Sequence, residues 1–133
     1  MKNLVIVILV VAAFATGCTH DPFQPIAGKG GNATLVVYPA HHGKASELDS
    51  MKVYVKYNTQ DAPSNGVYDD SMACTFINAQ YLCTFTGLKN GNYYIYGKGY
   101  DYEYATGVQG GLPHKITAQQ SQNFYLPVSE KHN

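Results

Sequence analysis

Arginine and tryptophan are both absent from this sequence of 133 residues, and charged residues make up only 14% of it. Nine basic residues, all of them lysine, balance nine acidic residues, so the formal net charge is zero. Proteins that bind nucleic acids need clustered positive charge to displace the counterions around phosphate groups. Arginine is also the side chain that forms paired hydrogen bonds with phosphates. The composition therefore excludes a polybasic nucleic-acid-binding protein.

Long hydrophobic runs are nearly absent as well. The longest, residues 4–14, contains about eleven apolar residues, whereas a membrane-spanning helix needs about twenty. Lys2 precedes this run, and small residues at 15–17 lead directly to Cys18. The pattern resembles a bacterial lipoprotein signal, in which the cysteine is lipidated and becomes the first residue of the mature protein. The alternative is an ordinary secretory signal that ends near a chance cysteine.

The resemblance divides the chain into a signal peptide at 1–17, a tether at 18–32, a folded domain at 33–129 and a tail at 130–133. The tether is rich in proline and glycine and has no periodicity, which is typical of a flexible linker. Lipid on Cys18 would attach the protein to the outer membrane of the cell envelope. Which face of that membrane it occupies, periplasmic or surface, is left open.

Two cysteines remain after Cys18, and their spacing fits a β-hairpin. A two-residue turn at 78–79 would place Cys74 opposite Cys83 on a non-hydrogen-bonded rung, with α-carbons about 4.5 Å apart. That separation is near the lower end of disulfide geometry, and exported proteins commonly contain disulfides. A metal site is the alternative use of the thiols, but no CxxC spacing supports it. We therefore predict a disulfide between Cys74 and Cys83.

Alternation of apolar and polar residues dominates the chain after the tether, and no helical periodicity of useful length is present. The predicted strands are 33–38, 51–57, 74–77, 80–86, 92–99, 105–109, 113–117 and 122–128, the sixth and seventh being the weakest. Short strands separated by turn residues are the pattern of a sandwich. We predict an all-β fold, an antiparallel β-sandwich of about seven strands.

Residues 85–96 contain a motif that resembles one known domain family. They are similar to the F-x-x-L-x-x-G-x-Y-x-L element of carboxypeptidase-regulatory-like and other transthyretin-like (prealbumin-like) domains. The matching residues are Phe85, Leu88, Gly91, Tyr93 and Ile95. The resemblance implies an Ig-like sandwich that serves as a binding or spacer module without catalytic residues. The whole chain also resembles small lipoproteins of Bacteroidetes-type bacteria.

Two adjacent histidines, His41 and His42, follow the first predicted strand. If consecutive strands run antiparallel, their loop lies at the same end of the sandwich as Asp101 and Glu103. Imidazole and carboxylate groups together suit zinc or copper. We therefore consider a metal site formed by these four residues; the alternative is a solvated loop.

Acidic residues also cluster in the predicted loop at 59–73, which contains Asp61, Asp69 and Asp70. With Asn90 at the same end, such oxygen ligands could hold calcium. No EF-hand spacing is present, and aspartate and serine are ordinary turn residues, so the turn interpretation is favoured.

Tyrosine is abundant, with 12 residues, and three of them point outward from two predicted strands. Tyr54 lies between two lysines on one strand, while Tyr94 and Tyr96 share a face of the other. If these strands are neighbours, the three side chains form one exposed binding surface for an envelope protein or a glycan. Stabilisation of the sheet by cross-strand aromatic pairs is the alternative.

The sequence shows no arrangement that would support catalysis. No serine lies in a nucleophile-elbow context, no glycine-rich phosphate cradle precedes a helix, and no acid–base pair stands out. Two hypotheses follow. The first is a non-enzymatic, lipid-anchored binding module of the cell envelope. The second is a zinc- or copper-binding lipoprotein that uses His41 and His42.

Overall fold

A computed structural model describes residues 25–44 and 48–131. They form eight β-strands: β1 (Lys29–His41), β2 (Leu48–Tyr57), β3 (Asp70–Ala73), β4 (Thr75–Ile77), β5 (Gln80–Leu88), β6 (Gly91–Asp101), β7 (Thr106–Ile116) and β8 (Ser121–Glu130). Within these residues there is no helix long and apolar enough to cross a membrane. The all-β prediction is confirmed. The predicted signal peptide, Cys18, the start of the tether and the end of the tail lie outside the described residues.

The alternation that predicted the strands is also the pattern of their burial. From Ala33 onward every second residue of β1 is buried, and the central parts of β2 and β6 alternate in the same way. Successive side chains of a strand point to opposite faces, so each strand turns one face toward a shared core. The largest apolar side chains in that core are Tyr93, Phe85, Leu35, Met51, Leu88, Ile95, Ile116 and Leu126. Each such burial stabilises the fold by about 1.5–3 kcal/mol.

The strands form one mixed sheet in the order β3-β2-β6-β7-β8-β1-β5-β4. Among the described residues, β7 and β8 pair only at Val108–Glu130 and Gln109–Ser129, and there the sheet folds over. Leu126 of β8 consequently lies against Gly97 of β6. Strands β3 and β4 are the two edge strands of the sheet, yet they are consecutive in the chain. The two edges of the sheet therefore nearly meet. The result is a barrel-like sandwich that is nearly closed.

Two features differ from the predicted antiparallel seven-stranded sandwich. The described residues contain eight strands, and β1 runs parallel to β8, with Thr34 opposite Ser121 and His41 opposite Val128. These are the first and last strands, and no local turn specifies their pairing. For that reason the sequence pattern could not indicate the parallel register.

The two weak strands predicted at 105–109 and 113–117 form the single strand β7. Gly110 and Gly111 lie between the two predicted strands, and both are required by close packing within the sheet. A β-carbon at Gly110 would overlap the backbone of Pro127, and one at Gly111 would overlap the ring of Tyr94.

Strand β3 lies in a segment that was predicted as a loop. Its residues are mostly exposed, so only pairing with β2 defines it as a strand.

The end of the predicted tether belongs to the folded domain. Strand β1 begins at Lys29, and Ala27 is buried against Gly91, where a β-carbon would overlap it. Gly31 likewise lies against the backbone of Leu88. The glycines that suggested flexibility permit this close approach of two backbone segments.

The cystine hairpin has the predicted register. Asn78 and Ala79 form a two-residue turn with φ angles of 51° and 61°, the left-handed values of a type I′ turn. The turn brings β4 against β5, with Phe76 opposite Tyr81. The disulfide joins Cys74 to Cys83, with α-carbons 4.6 Å apart. Cys74 lies between the edge strands β3 and β4, and Cys83 lies in β5. The bond therefore links these strands at the place where the two edges of the sheet approach each other.

All five motif residues that carry the family resemblance are buried: Phe85, Leu88, Gly91, Tyr93 and Ile95. The hydroxyl of Tyr93 donates to the carbonyl oxygen of Lys89 at 2.7 Å and accepts from the N–H of Gly28 at 2.9 Å. A tyrosine bonded to the backbone a few residues upstream is a feature of Ig-like sandwiches. The five residues therefore contribute to the core, and Tyr93 bonds the start of β6 to the backbone of Gly28 and Lys89.

Candidate functional site

The two adjacent histidines lie at a tight turn, which we call the histidine turn (residues 41–44). The backbone N–H and C=O groups of His41 and Lys44 exchange two hydrogen bonds, of 3.0 and 2.8 Å. Between them His42 and Gly43 have φ angles of 47° and 73°, as a type I′ turn requires. On a regular strand successive side chains diverge, but this turn brings the two imidazole rings to a centroid distance of 4.0 Å.

Asp101, the last residue of β6, fixes the ring of His41. Its Oδ2 lies 2.6 Å from Nδ1 of His41, and its Oδ1 accepts a hydrogen bond of 3.1 Å from the N–H of Tyr104. Both side chains are only 1% exposed. An ionised carboxylate can only accept, so a neutral His41 ring carries its proton on Nδ1 and its lone pair on Nε2.

The other ring nitrogen of His41 points toward a carboxylate on β8. Nε2 lies 3.3 Å from Oε2 of Glu130, close enough for an ion pair but without hydrogen-bond alignment. Nε2 of His41 is the one buried side-chain nitrogen or oxygen among the described residues that makes no hydrogen bond. Nε2 of His42 lies 3.3 Å from the other oxygen, Oε1. Buried polar atoms are normally bonded, so an unpaired one suggests a missing partner.

His41, His42 and Glu130 together form a candidate metal centre. One ligand atom from each residue lies within 4.8 Å of the other two, and no other such group of three occurs among the described residues. Metal–ligand bonds of about 2.0–2.1 Å in a tetrahedron place ligand atoms roughly 3.3–3.4 Å apart. The nitrogen–oxygen separations are 3.3 Å from His41 to Oε2 and 3.3 Å from His42 to Oε1, so one ion would be held either by both oxygens of Glu130 or after a small shift of its side chain.

Electrostatic interactions keep the carboxylates of this site ionised. Burial alone would raise the pKa of Asp101, but hydrogen bonds from His41 and the Tyr104 backbone lower it below its ordinary value. The pKa of Glu130 falls to about 2, first through a hydrogen bond with its own backbone and then through His42 and His41. Burial would lower the pKa of His41, yet the neighbouring carboxylates outweigh it and raise the pKa. The site therefore favours a positive charge between its acidic groups, whether a proton or a metal ion.

The structure brings together His41, His42 and Asp101 but not Glu103. The Glu103 carboxylate is solvent-exposed and lies 3.8 Å from Nζ of Lys44. Glu130 takes the place that the sequence assigned to Glu103. Glu130 belongs to a strand rather than a loop, and it reaches the site because β8 runs parallel to β1. Finding Glu130 from the sequence would have required predicting that the first and last strands pair in parallel, and no local pattern indicates that pairing.

The acidic segment at 59–73 does not assemble the calcium site considered from the sequence. Asp69 and Asp70 lie near lysines, at 3.2 Å from Lys56 and 3.1 Å from Lys29. The Asn90 side chain bonds elsewhere, donating to the carbonyl of Thr117 at 3.1 Å. The turn interpretation agrees with these contacts.

The three tyrosines of the predicted surface share one face of the sheet, where they are half-buried, and a fourth tyrosine joins them. Tyr54 of β2 is paired with Tyr96 of β6, so their rings share the outer face of the sheet. Tyr68, from the loop before β3, packs on both, and we call these three residues the tyrosine cluster. Tyr94 lies further along the same face, over Gly111. Sequence reasoning missed Tyr68 because a loop residue carries no periodicity.

Comparison with known proteins gives no match to any family model, curated protein or solved structure. The class of protein is therefore defined by the structure alone, as an all-β, barrel-like sandwich.

Proposed function

We propose that the protein binds a divalent transition-metal ion at His41, His42 and Glu130. The observation that carries this proposal is the buried, unbonded Nε2 of His41, directed at the Glu130 carboxylate. Asp101 on the opposite nitrogen forms the carboxylate–histidine arrangement that orients metal-binding imidazoles. A solvated pair of histidines would need neither the burial of His41 nor this hydrogen bond.

The ligand set favours zinc or copper. Two imidazoles and a carboxylate suit these ions, whereas calcium and magnesium prefer oxygen ligands alone. The His42 side chain is 52% exposed and the Glu130 side chain 35% exposed, so an ion can enter from solvent while His41 holds it from inside. Three protein ligands leave a fourth position for water or an external group.

The experiment is calorimetric titration of the chelator-treated, full-length protein with Zn²⁺ and Cu²⁺ at neutral pH. We expect one ion per chain, and His42→Ala and Glu130→Gln should each weaken binding by about tenfold or more. These two residues are partly exposed, so the variants should retain the fold even if His41→Ala does not. His114→Ala is the matched control, because His114 lies away from the site and contacts Gln122.

Two results would overturn the metal proposal. One is the absence of stoichiometric binding of either ion. The other is equal affinity in the wild type, His42→Ala and Glu130→Gln, which would place any bound ion elsewhere in the chain.

We further propose that the protein is a non-enzymatic lipoprotein of the cell envelope, anchored to the outer membrane through Cys18. The signal-like sequence before Cys18 supports the anchor, and the disulfide at Cys74 and Cys83 suits an exported protein. The motif residues Phe85, Leu88, Gly91, Tyr93 and Ile95 support a relation to the transthyretin-like domains, which serve as binding or spacer modules.

Lipidation can be tested in a bacterial host. The wild-type protein should incorporate labelled palmitate and fractionate with membranes, while Cys18→Ser should do neither. A Cys18→Ser variant that still fractionates with membranes and incorporates label would contradict the anchor.

A further inference from the structure

An open hollow of about 430 Å³ lies beside the tyrosine cluster. Its size falls within the range of small-molecule sites, about 300–1,000 Å³. Tyr54 and Tyr68 provide aromatic surface, and Asp69, Asp70 and Ser71 provide polar groups. The hollow thus combines flat rings with hydrogen-bonding groups, and it is remote in sequence from the histidine turn.

The aromatic part of the hollow is held in place by ring contacts. Tyr68 stacks on Tyr96 with a centroid distance of 5.6 Å and an interplanar angle of 15°. Tyr54 contacts both rings, at 5.4 and 5.9 Å. The Tyr96 hydroxyl donates to Oε1 of Gln109 at 2.9 Å. A side chain from the loop is therefore already ordered on the sheet, which lowers the entropy cost of binding a ligand.

The charges around the hollow are largely compensated. Nζ of Lys56 lies 3.2 Å from Asp69, and Nζ of Lys29 lies 3.1 Å from Asp70. A cationic ligand would have to compete with these lysines, and an anionic one would meet the carboxylate oxygens. The chemistry that remains is a neutral molecule with many hydrogen-bonding groups.

We propose that this hollow binds a neutral oligosaccharide, with a sugar ring placed on the parts of Tyr54 and Tyr68 that line it. The face of an aromatic ring is electron-rich, so it attracts the partly positive C–H groups of a sugar. Sugar hydroxyls can exchange hydrogen bonds with the Ser71 hydroxyl, and they can donate to the carboxylate oxygens alongside the lysine and backbone donors already present there. A stable protein partner would instead need about 800 Å² of matching surface, and nothing about a small polar hollow requires one.

The test is NMR titration of the full-length protein with four neutral hexasaccharides: maltohexaose, cellohexaose, xylohexaose and chitohexaose. At sugar concentrations up to about 5 mM, a Kd near 1 mM remains measurable. We expect saturable shifts confined to the hollow for at least one of them. Tyr68→Ala should weaken that binding by about tenfold or more, and the fold should survive because Tyr68 lies outside the strands.

Gly66 offers a second variant that blocks the hollow without removing a ring. Its φ is 67°, and a β-carbon there would meet no atom within 4 Å. Asparagine tolerates positive φ, so Gly66→Asn should fill the opening and weaken binding. Tyr125→Ala, which removes an exposed tyrosine of β8, is the matched control and should bind as the wild type does.

The proposal is overturned if none of the four sugars binds, or if Tyr68→Ala and Gly66→Asn bind as well as Tyr125→Ala. In that case the tyrosine cluster only stabilises the sheet. Because the hollow and the histidine turn share no residue, chelator treatment should leave sugar binding unchanged, and the two proposals can fail separately.

Discussion

At the scale of single residues, the proton on His41 determines whether the candidate metal centre can bind an ion. Asp101 accepts from Nδ1 at 2.6 Å, which leaves the Nε2 lone pair directed at Glu130. The neighbours that face this ring are His42, Tyr104 and these two carboxylates. If the carboxylate on Nδ1 were replaced by a donor, the ring would shift its proton to Nε2 and lose its free lone pair.

We predict that Asp101→Asn lowers metal affinity by roughly 10–100-fold, the usual effect of removing the outer partner of a metal-bound histidine. The shape of the residue is retained, but its amide can donate to Nδ1 and favour the wrong tautomer. Calorimetry with Zn²⁺ would measure the affinity, and ¹⁵N NMR of the imidazole would report the tautomer. Unchanged affinity together with a shifted tautomer would contradict the role of Asp101.

Sequence reasoning identified some of these residues and missed others for definable reasons. His41, His42 and Asp101 could be predicted because adjacent strand ends lie together. Glu130 could not, because it reaches the site through the parallel pairing of β1 and β8. Glu103 was expected in the site, but the turn at 102–105 leaves its carboxylate beside Lys44.

At the scale of secondary-structure elements, the sequence predicted the strands and turns that are determined by residues close together in the chain. The hairpin of β4 and β5 followed from residue spacing, because a two-residue turn fixes its register. Strand β3 could not be predicted in the same way. Its residues are mostly exposed, and only pairing with β2 makes it a strand. Strand β7 was predicted as two strands for a similar reason, because the packing that Gly110 and Gly111 permit involves Pro127 and Tyr94, which are distant in sequence.

The disulfide should stabilise the hairpin and the closure of the sheet. Its cysteines are separated by nine positions, and in the chain-entropy model a loop of about ten residues contributes roughly 2.7 kcal/mol. We predict that replacing Cys74 and Cys83 together with alanine lowers the free energy of unfolding by about that amount. Urea unfolding monitored by circular dichroism would measure it.

Reduction of the wild-type protein is the control for that double variant. Both should lose a similar amount of stability, because both release the same loop. A loss below about 0.5 kcal/mol in both would contradict a stabilising role for the bond.

At the scale of the whole molecule, the buried and half-buried members of the twelve tyrosines influence stability. Burial raises the pKa of Tyr57 to about 12, with the nearby Asp70 adding to the effect. Burial also raises the pKa values of Tyr68, Tyr81, Tyr93 and Tyr96. These phenols resist ionisation while the chain is folded, although they would ionise near pH 10 once it unfolded.

Stability should therefore fall as pH rises from about 10 to about 12, because the unfolded state releases tyrosine protons more easily than the folded state. Below pH 10 the contribution is fully present, since both states keep the phenols protonated. Urea midpoints measured at successive pH values would follow the fall, and absorbance at alkaline pH would follow phenolate formation. In Tyr57→Phe the fall should be smaller, whereas Tyr125→Phe, at a side chain 69% exposed, should leave it unchanged. A midpoint that stays constant across this range, or an equal fall in all three proteins, would show that tyrosine burial does not control alkaline stability.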